Sequence, residues 1–356
     1  MPQNKQPKLV RISEKLQQNM QYVDELMGLE TNFDIIHRVI RLGDTDACMY
    51  LIDGFCKDEL MQKILQYLMD LKAEDFPKDA HEMSKIAIPY VEVDLDDTWE
   101  KILGALLSGV FVLLLDGYEK AVLIDARTYP TRGVEEPDKD KVLRGSKDGF
   151  VETVVFNTAL IRRRIRSTDL HMEMLNAGEN SRTDIVLCYM ESRVDPKLLT
   201  QIRERIRSIQ VDALAMNQES LAECLYQRKW YNPFPKFKYT ERPDTAAAQV
   251  LEGNLVILVD NSPSAMILPT TIFDVVEEAD DYYFPSVTGT YLRLTRFLIA
   301  LLTYFVTPTY LLLMNHRMWI PENLEFIILK EDPNVPLILQ FLLLELAIDG
   351  LRLAAV

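Results

Sequence analysis

Short unbroken apolar runs of strand length alternate with apolar stripes at helical spacing along the first 270 residues. Asp34 to Leu42 reads as a short helix stopped by Gly43. Ala47 to Ile52 is a continuous apolar run closed by Asp53-Gly54, and Lys57 to Leu71 carries Leu60, Ile64, Leu65, Leu68 and Leu71 at helical spacing. A helix through Leu103 to Leu107 ends at Gly109; Val110 to Leu115 is a strand, Asp116-Gly117 a turn and Ala121 to Ile124 the returning strand. A polar, proline-containing segment, Thr128 to Lys141, follows.

The stretch from Leu143 to Arg166 organises the chain. It opens on a glycine-punctuated turn, Arg144-Gly145-Ser146-Lys147-Asp148-Gly149, and runs to Arg166 without further Gly or Pro. That length gives roughly four helical turns at about 3.6 residues each. Phe150, Val154, Asn157, Ile161 and Ile165 fall on one face, with Arg164 beside them and Glu152, Arg163 and Arg166 opposite. An asparagine inside an apolar stripe has two readings. Either the segment is a connecting helix between two packed bodies, in which Asn157 and Arg164 make specified polar contacts, or it is an amphipathic helix with a partly exposed Asn.

The same grammar returns after this helix. Twenty residues from Thr45, TDACMYLIDGFCKDELMQKI, align without gaps to TDIVLCYMESRVDPKLLTQI from Thr183, and Leu60 and Ile64 fall on Leu198 and Ile202. LLSGVFVLLLDGYEKAVLI from Leu106 aligns to VLEGNLVILVDNSPSAMIL from Val250, so that Gly109 falls on Gly253 and Asp116 on Asp260. Two matching blocks in the same order at nearly the same spacing argue for duplication. The expected fold is α/β: two duplicated α/β subdomains joined by a helix, then a transmembrane helix and a C-terminal apolar helix. The expected domains are a basic tail and lead-in helix over 1–31, subdomain 1 over 32–142, the connecting turn and helix over 143–168, subdomain 2 over 169–290 and the start of a membrane domain over 291–356.

Charge narrows the partners. The 356-residue chain carries a formal charge of −15, and nucleic-acid binding needs a basic surface to neutralise phosphates. Trp230, Tyr231, Phe234, Phe237 and Tyr239 alternate with Lys236, Lys238 and Arg242 in a stretch broken by Pro233, Pro235 and Pro243. On so acidic a chain this loop is expected to pack on its own subdomain or on a neighbouring subunit. The four cysteines, Cys48, Cys56, Cys188 and Cys224, show no metal or disulfide spacing. The N-terminus has no apolar stretch of a signal peptide.

Phe297 to Met314 is 18 residues without a charge, the lower end of a membrane-spanning length. Arg293 and Arg296 precede it and His316, Arg317 and Trp319 follow, as interfacial anchors would. Pro308 is expected to kink it, and the alternative is a buried core helix. A second apolar helix, Pro336 to about Ala354, contains Glu345, Asp349 and Arg352, which in hydrocarbon require partners.

Catalytic chemistry has no foothold. There is no phosphate loop, HExxH or GxSxG, and no glycine-rich strand–helix turn. Asp96-Asp97 and Asp280-Asp281 read as solvated pairs. His37 and His171, in helical text, lack a second ligand, and Asp53, Asp116 and Asp260 end strands where turn chemistry accounts for them. A non-enzymatic protein without cofactor or metal is expected; a membrane-tethered two-lobed small-molecule-binding module is the alternative.

LRGSKDGFVETVVFNTALIRRRIR, SRTDIVLCYM, ERPD, VDNSPSAMILP, EADDYY and YLRLTRF occur here in the order of the A subunits of spore germinant receptors. From about Asn32 onward the chain resembles this GerA family of spore germination proteins. The family turn usually reads Arg-Gly-Pro, a basic residue, Glu and Gly; here Ser146 replaces the Pro and Asp148 the Glu. The resemblance implies a two-part cytoplasmic region and a membrane domain, in the inner spore membrane, with a transporter-like B subunit that binds nutrient and a lipoprotein C subunit. It further implies A subunits assembled with one another into a channel and ion release on nutrient sensing. Arg144, Gly145, Gly149, Glu152, Asn157, Arg164, Arg242 and Asp244 are then the expected inter-domain or inter-subunit contacts, and Arg293, Arg296 and Trp319 the anchors to membrane lipid. Family members continue through several more membrane helices, which implies a truncated or split member here.

Overall fold

The structure is a computed structural model that describes residues 11–56, 58–129, 148–226, 234–271, 286–329 and 334–354. The chain divides into two compact units, Met1–Val275 and Val276–Val356.

The first unit contains two five-stranded antiparallel sheets. Helix α1 (Leu16–Met27) leads into the hairpin β1 (Ile35–Leu42) and β2 (Thr45–Ile52). Helices α2 (Asp58–Met69) and α3 (Ala80–Ile86), strand β3 (Val93–Asp96), helix α4 (Trp99–Leu107) and the hairpin β4 (Phe111–Leu115) and β5 (Ala121–Ile124) complete sheet 1, in the order β1-β2-β4-β5-β3. The second half repeats this. Helix α5 (Val154–Arg164) precedes β6 (Leu170–Ala177) and β7 (Thr183–Met190); α6 (Pro196–Arg207), α7 (Gln218–Leu225), β8 (Lys238–Thr240), α8 (Pro243–Glu252), β9 (Leu255–Val259) and β10 (Ala265–Leu268) follow. Sheet 2 has the order β6-β7-β9-β10-β8.

The two sheets agree strand for strand and residue for residue. Ala47 pairs with Leu115 and Tyr50 with Val112; their counterparts Ile185 and Cys188 pair with Val259 and Val256. Asp96 faces Ala121 as Thr240 faces Ala265. Both sheets are covered on both faces, which explains why their central strands read as unbroken apolar runs. In β2, Met49 and Leu51 join Ile64 and Leu68 of α2 and Met83 of α3 in one core. Cys48 and Tyr50 point the other way, to Leu16 and Val23 of α1 and Ile102 and Leu106 of α4. Sheet 2 sits likewise between α6/α7 and α5/α8.

Two expectations are corrected. Ile35–Leu42 is a strand, so His37 lies in a strand, as does His171 in β6. Residues 35–42 are apolar at Ile35, Ile36, Val39, Ile40 and Leu42 because β1 is an edge strand on which strict alternation is not enforced, and that spacing imitates a helix. The stretch containing Pro235 and Pro243 also has regular structure: β8 lies between those prolines, and Pro243 opens α8, where its missing N–H is harmless.

In the second unit, α9 (Ser286–Asn315) carries Pro308 inside it, and α10 spans Leu337–Ala354. Among the described residues α9 is the one helix long and apolar enough to cross a membrane, over Val287–Asn315, and none of its apolar window is buried. That favours a membrane span over a soluble core helix, whose apolar side chains would be covered.

Candidate functional site

The joint between the two sheets is built by seven residues, Gly28 to Asp34, that lead from α1 into β1. Helix α1 stops at Gly28, in the left-handed conformation with φ 57°. The chain then crosses the outer edge of β6 before starting its own sheet. Asn32 is buried and fully used: its Nδ2 donates to the Met27 carbonyl at 2.6 Å and its Oδ1 accepts the Met172 N–H at 2.6 Å. The Phe33 N–H donates to the Met172 carbonyl at 3.3 Å. Thr31 Oγ1 donates to the Gly28 carbonyl at 2.9 Å and lies 2.8 Å from His171 Nδ1. A hydroxyl has one proton, so His171 Nδ1 must be the donor in that second bond.

At the centre is Asp34. Arg162 of α5 reaches it through Nε at 2.7 Å and Nη2 at 2.8 Å, a two-pronged contact with both carboxylate oxygens. Nη1 donates to the Leu170 carbonyl at 3.1 Å and Nη2 also approaches Asn32 Oδ1 at 3.4 Å. The side chains are 0% and 2% exposed. Removing one partner of so deeply buried a pair costs about 3–5 kcal/mol, because the other charge stays desolvated. The pair therefore holds the relative placement of the two sheets tightly.

Helix α5 reaches the joint because it is buried on opposite sides. Val154, Leu160, Ile161 and Ile165 pack with sheet 2. Ala159 packs with Ile52 and Phe55 of the first half. A Cβ on Gly54, which has φ +78°, would come within 3.2 Å of Ala159 Cβ, so the close approach needs both glycine and a small helix residue. Arg163 lies 4.4 Å over the Tyr129 ring. His171 is held below the ordinary imidazole range by burial, and the Arg162 charge adds to this; Glu191, Asp169 and Asp34 oppose it.

The residues singled out in the sequence fall in several places. Asn157 is buried, but its side chain clamps its own lead-in: Oδ1 accepts the Val151 N–H at 2.8 Å and Nδ2 donates to the Val151 carbonyl at 2.6 Å. Asn19, its counterpart in the first half, does the same to Ser13 at 2.8 and 2.6 Å. The Glu152 carbonyl accepts the Asn261 N–H at 2.8 Å, as the Glu14 carbonyl accepts that of Gly117 at 2.7 Å. Asp260 Oδ1 accepts the Val154 N–H at 3.1 Å, as Asp116 Oδ1 accepts that of Leu16 at 2.9 Å. Gly149 directly precedes Phe150, whose N–H donates to Glu241 at 2.8 Å. These contacts fasten each lead-in helix to its own sheet. Arg164 donates to the Leu160 carbonyl at 2.9 Å and pairs with Asp148. Arg242, fully buried, holds Asp244 through Nε at 3.1 Å and Nη2 at 2.7 Å at the start of α8. Arg144 and Gly145, like Trp230, Tyr231, Pro233 and Asp280-Asp281, lie outside the described residues. In the second unit, Arg293 and Arg296 lie on α9, and exposed Trp319 stacks on His316 at 4.7 Å between ring centroids.

Sequence reasoning missed Asp34, Asn32 and Arg162. Arg162 was hidden inside Arg162-Arg163-Arg164, which reads as a solvated end of a helix. Its signal was positional: it lies one residue past the apolar stripe, on the side that carries Thr158 and Ala159. Among the described residues, no group of three or more His, Cys, Asp or Glu is placed to hold a metal.

Comparison with known proteins fits this arrangement. Residues 21–356 match the family described as Bacillus/Clostridium GerA spore germination protein. The chain belongs to the GerA family. It is 37% identical over its whole length to Stage V sporulation protein AF of Bacillus subtilis, covering 72% of that protein. It is 30% identical to Spore germination protein A1 of the same organism, across 92% of this chain and 67% of that one. Among solved structures, it is similar to the N-terminal domain of the A subunit of the Bacillus megaterium spore germinant receptor GerK3. That likeness has a TM-score of 0.57 and 27% identity, and it covers 74% of this chain and 98% of that domain. The chain is thus an A-subunit-like germination protein with a mixed α/β region and a helix able to span a membrane.

Proposed function

We propose that this protein works as a non-enzymatic A-type subunit of a germinant receptor in the inner spore membrane. In this reading the α/β unit lies on the cytoplasmic side and couples nutrient sensing by a transporter-like B subunit, beside a lipoprotein C subunit, to ion release. The observation that carries it is the GerA match over 21–356, which runs through the α/β unit and through the membrane-competent helix. The joint at Asp34 and Arg162 is the coupling element: a signal passed between the two bodies requires states that differ in the contacts between them, and this buried pair lies between the two sheets. Deleting the gene should abolish germination in response to one nutrient class and leave other nutrients effective. Unchanged germination with every nutrient would remove the receptor role.

A second reading has its own support. Identity to Stage V sporulation protein AF, 37%, exceeds the 30% shared with Spore germination protein A1. A counterpart of the former would alter sporulation or germination whichever nutrient is supplied, and the same deletion strain separates the two.

A further inference from the structure

The two sheets differ at one edge. In sheet 2, the outward-facing N–H and carbonyl of Met172 on β6 are taken by Asn32 and Phe33, chain that arrives from the other body. The counterpart of Met172 in sheet 1 is His37, since Met172 faces Cys188 as His37 faces Tyr50. Among the described residues no chain covers β1 at that place, and Ile36, His37, Arg38, Val39 and Arg41 are all exposed. An eight-residue edge strand left open is a ready template for another strand.

The opposite edge of the same sheet has the complementary character. Ile35–Leu42 contains His37, Arg38 and Arg41 and no carboxylate. Residues 92–97 along β3 contain Glu92, Asp94, Asp96 and Asp97; Asp96 pairs with Lys101 and Asp97 with Arg11, while Glu92 and Asp94 are exposed. Arginines alone could serve only to protect an edge, but protection does not require the far edge to be acidic. The match also holds face by face. Ile40 and Leu42 share a core with Val93 and Leu95, so Ile36 faces the side of Val93 and Leu95. His37, Val39 and Arg41 face the other side, with Glu92, Asp94 and Asp96. Each step across the antiparallel sheet reverses direction, so β1 and β3 run the same way.

We infer that copies of this chain associate head to tail through sheet 1, the β1 edge of one copy lying parallel to the β3 edge of the next. The occupant of the open edge is a second copy, and the sheet continues from chain to chain with His37 beside Glu92, Val39 beside Asp94 and Arg41 beside Asp96. Such a contact uses two different surfaces, so it builds a ring where the rotation closes and a filament where it does not. This rests on the receptor reading and names a surface for the association of A-type chains that the family resemblance implies.

The test is disulfide cross-linking of the full chain in membranes, in a Cys224→Ser background that removes the exposed thiol. Val39→Cys and Asp94→Cys lie at exposed positions on the same face. Mixed Val39→Cys and Asp94→Cys chains should give a dimer band, each variant alone should give none, and the double variant should give a ladder. His37→Glu should weaken the ladder of the double variant several-fold, and adding Glu92→Lys should restore it. A dimer band from Val39→Cys alone would show two like edges pairing and overturn the proposal, as would an absence of bands in the double variant. Germination of the same strains is scored separately, so the interface can fail while the receptor reading stands.

Discussion

Replacing Asp34 by alanine leaves Arg162 charged, fully buried and without its carboxylate. Two of the guanidinium contacts survive, to the Leu170 carbonyl at 3.1 Å and to Asn32 Oδ1 at 3.4 Å, and neither carries a charge. The expected loss is about 3–4 kcal/mol, the lower part of the range for breaking a buried pair. At roughly 2–4 °C per kcal/mol for a body of this size, the α/β unit should melt about 6–16 °C lower. Asp34→Asn keeps an acceptor but no charge and should lose about half as much. The assay is thermal or urea unfolding of Met1–Val275, the compact unit whose relative from the GerK3 A subunit has been crystallised. Replacing both partners, Asp34→Leu with Arg162→Met, removes two desolvated charges together and should come within about 1–2 kcal/mol of the parent. A loss below about 1 kcal/mol in Asp34→Ala would refute the idea that this pair holds the joint.

Three further outcomes follow from the same geometry. Asn19→Ala and Asn157→Ala each delete a matched pair of hydrogen bonds to a lead-in segment, so each should cost about 1–3 kcal/mol, with the two losses similar in urea titrations. His171 has a depressed pKa, so the folded state binds fewer protons than the unfolded state just below the ordinary imidazole pKa of 6.5. Stability from this group is complete above that pH and falls as pH drops through 6.5, and His171→Gln should flatten that slope in melts between pH 5 and 7. The full chain should resist carbonate extraction from membranes while Met1–Val275 should be released, because Val287–Asn315 is the helix long and apolar enough to cross a membrane; extraction of both would remove the membrane assignment.

Much of the fold could be read from residues because each sheet is buried on both faces. Runs such as Ala47–Ile52 and Val110–Leu115 had to be apolar throughout, and their recurrence exposed the duplication. The edges were harder. Residues 35–42 are constrained on few positions, so their apolar spacing drifted to a helical one; β6 was overlooked because Met172, Glu173 and Met174 have little strand character. Helix α8 was overlooked for the opposite reason, since Pro243 reads as a breaker when it stands at a helix start. The site was partly legible. Asn157 drew notice as a polar residue on an apolar face, and the structure places it as one of a duplicated pair of clamps, each inside its own half. The residues that join the halves, Asp34 and Arg162, stand 128 positions apart. No local pattern links an aspartate before a strand to the first of three consecutive arginines.

The double apolar variant tests the central claim most directly, because it removes the charged joint without leaving either charge buried alone. In spores carrying Asp34→Leu with Arg162→Met, the protein should be present at near-normal abundance by immunoblot. Ion release on exposure to the nutrient that the unaltered protein serves should be slowed at least tenfold. Normal abundance with normal ion release would contradict the assignment of this joint as the coupling element.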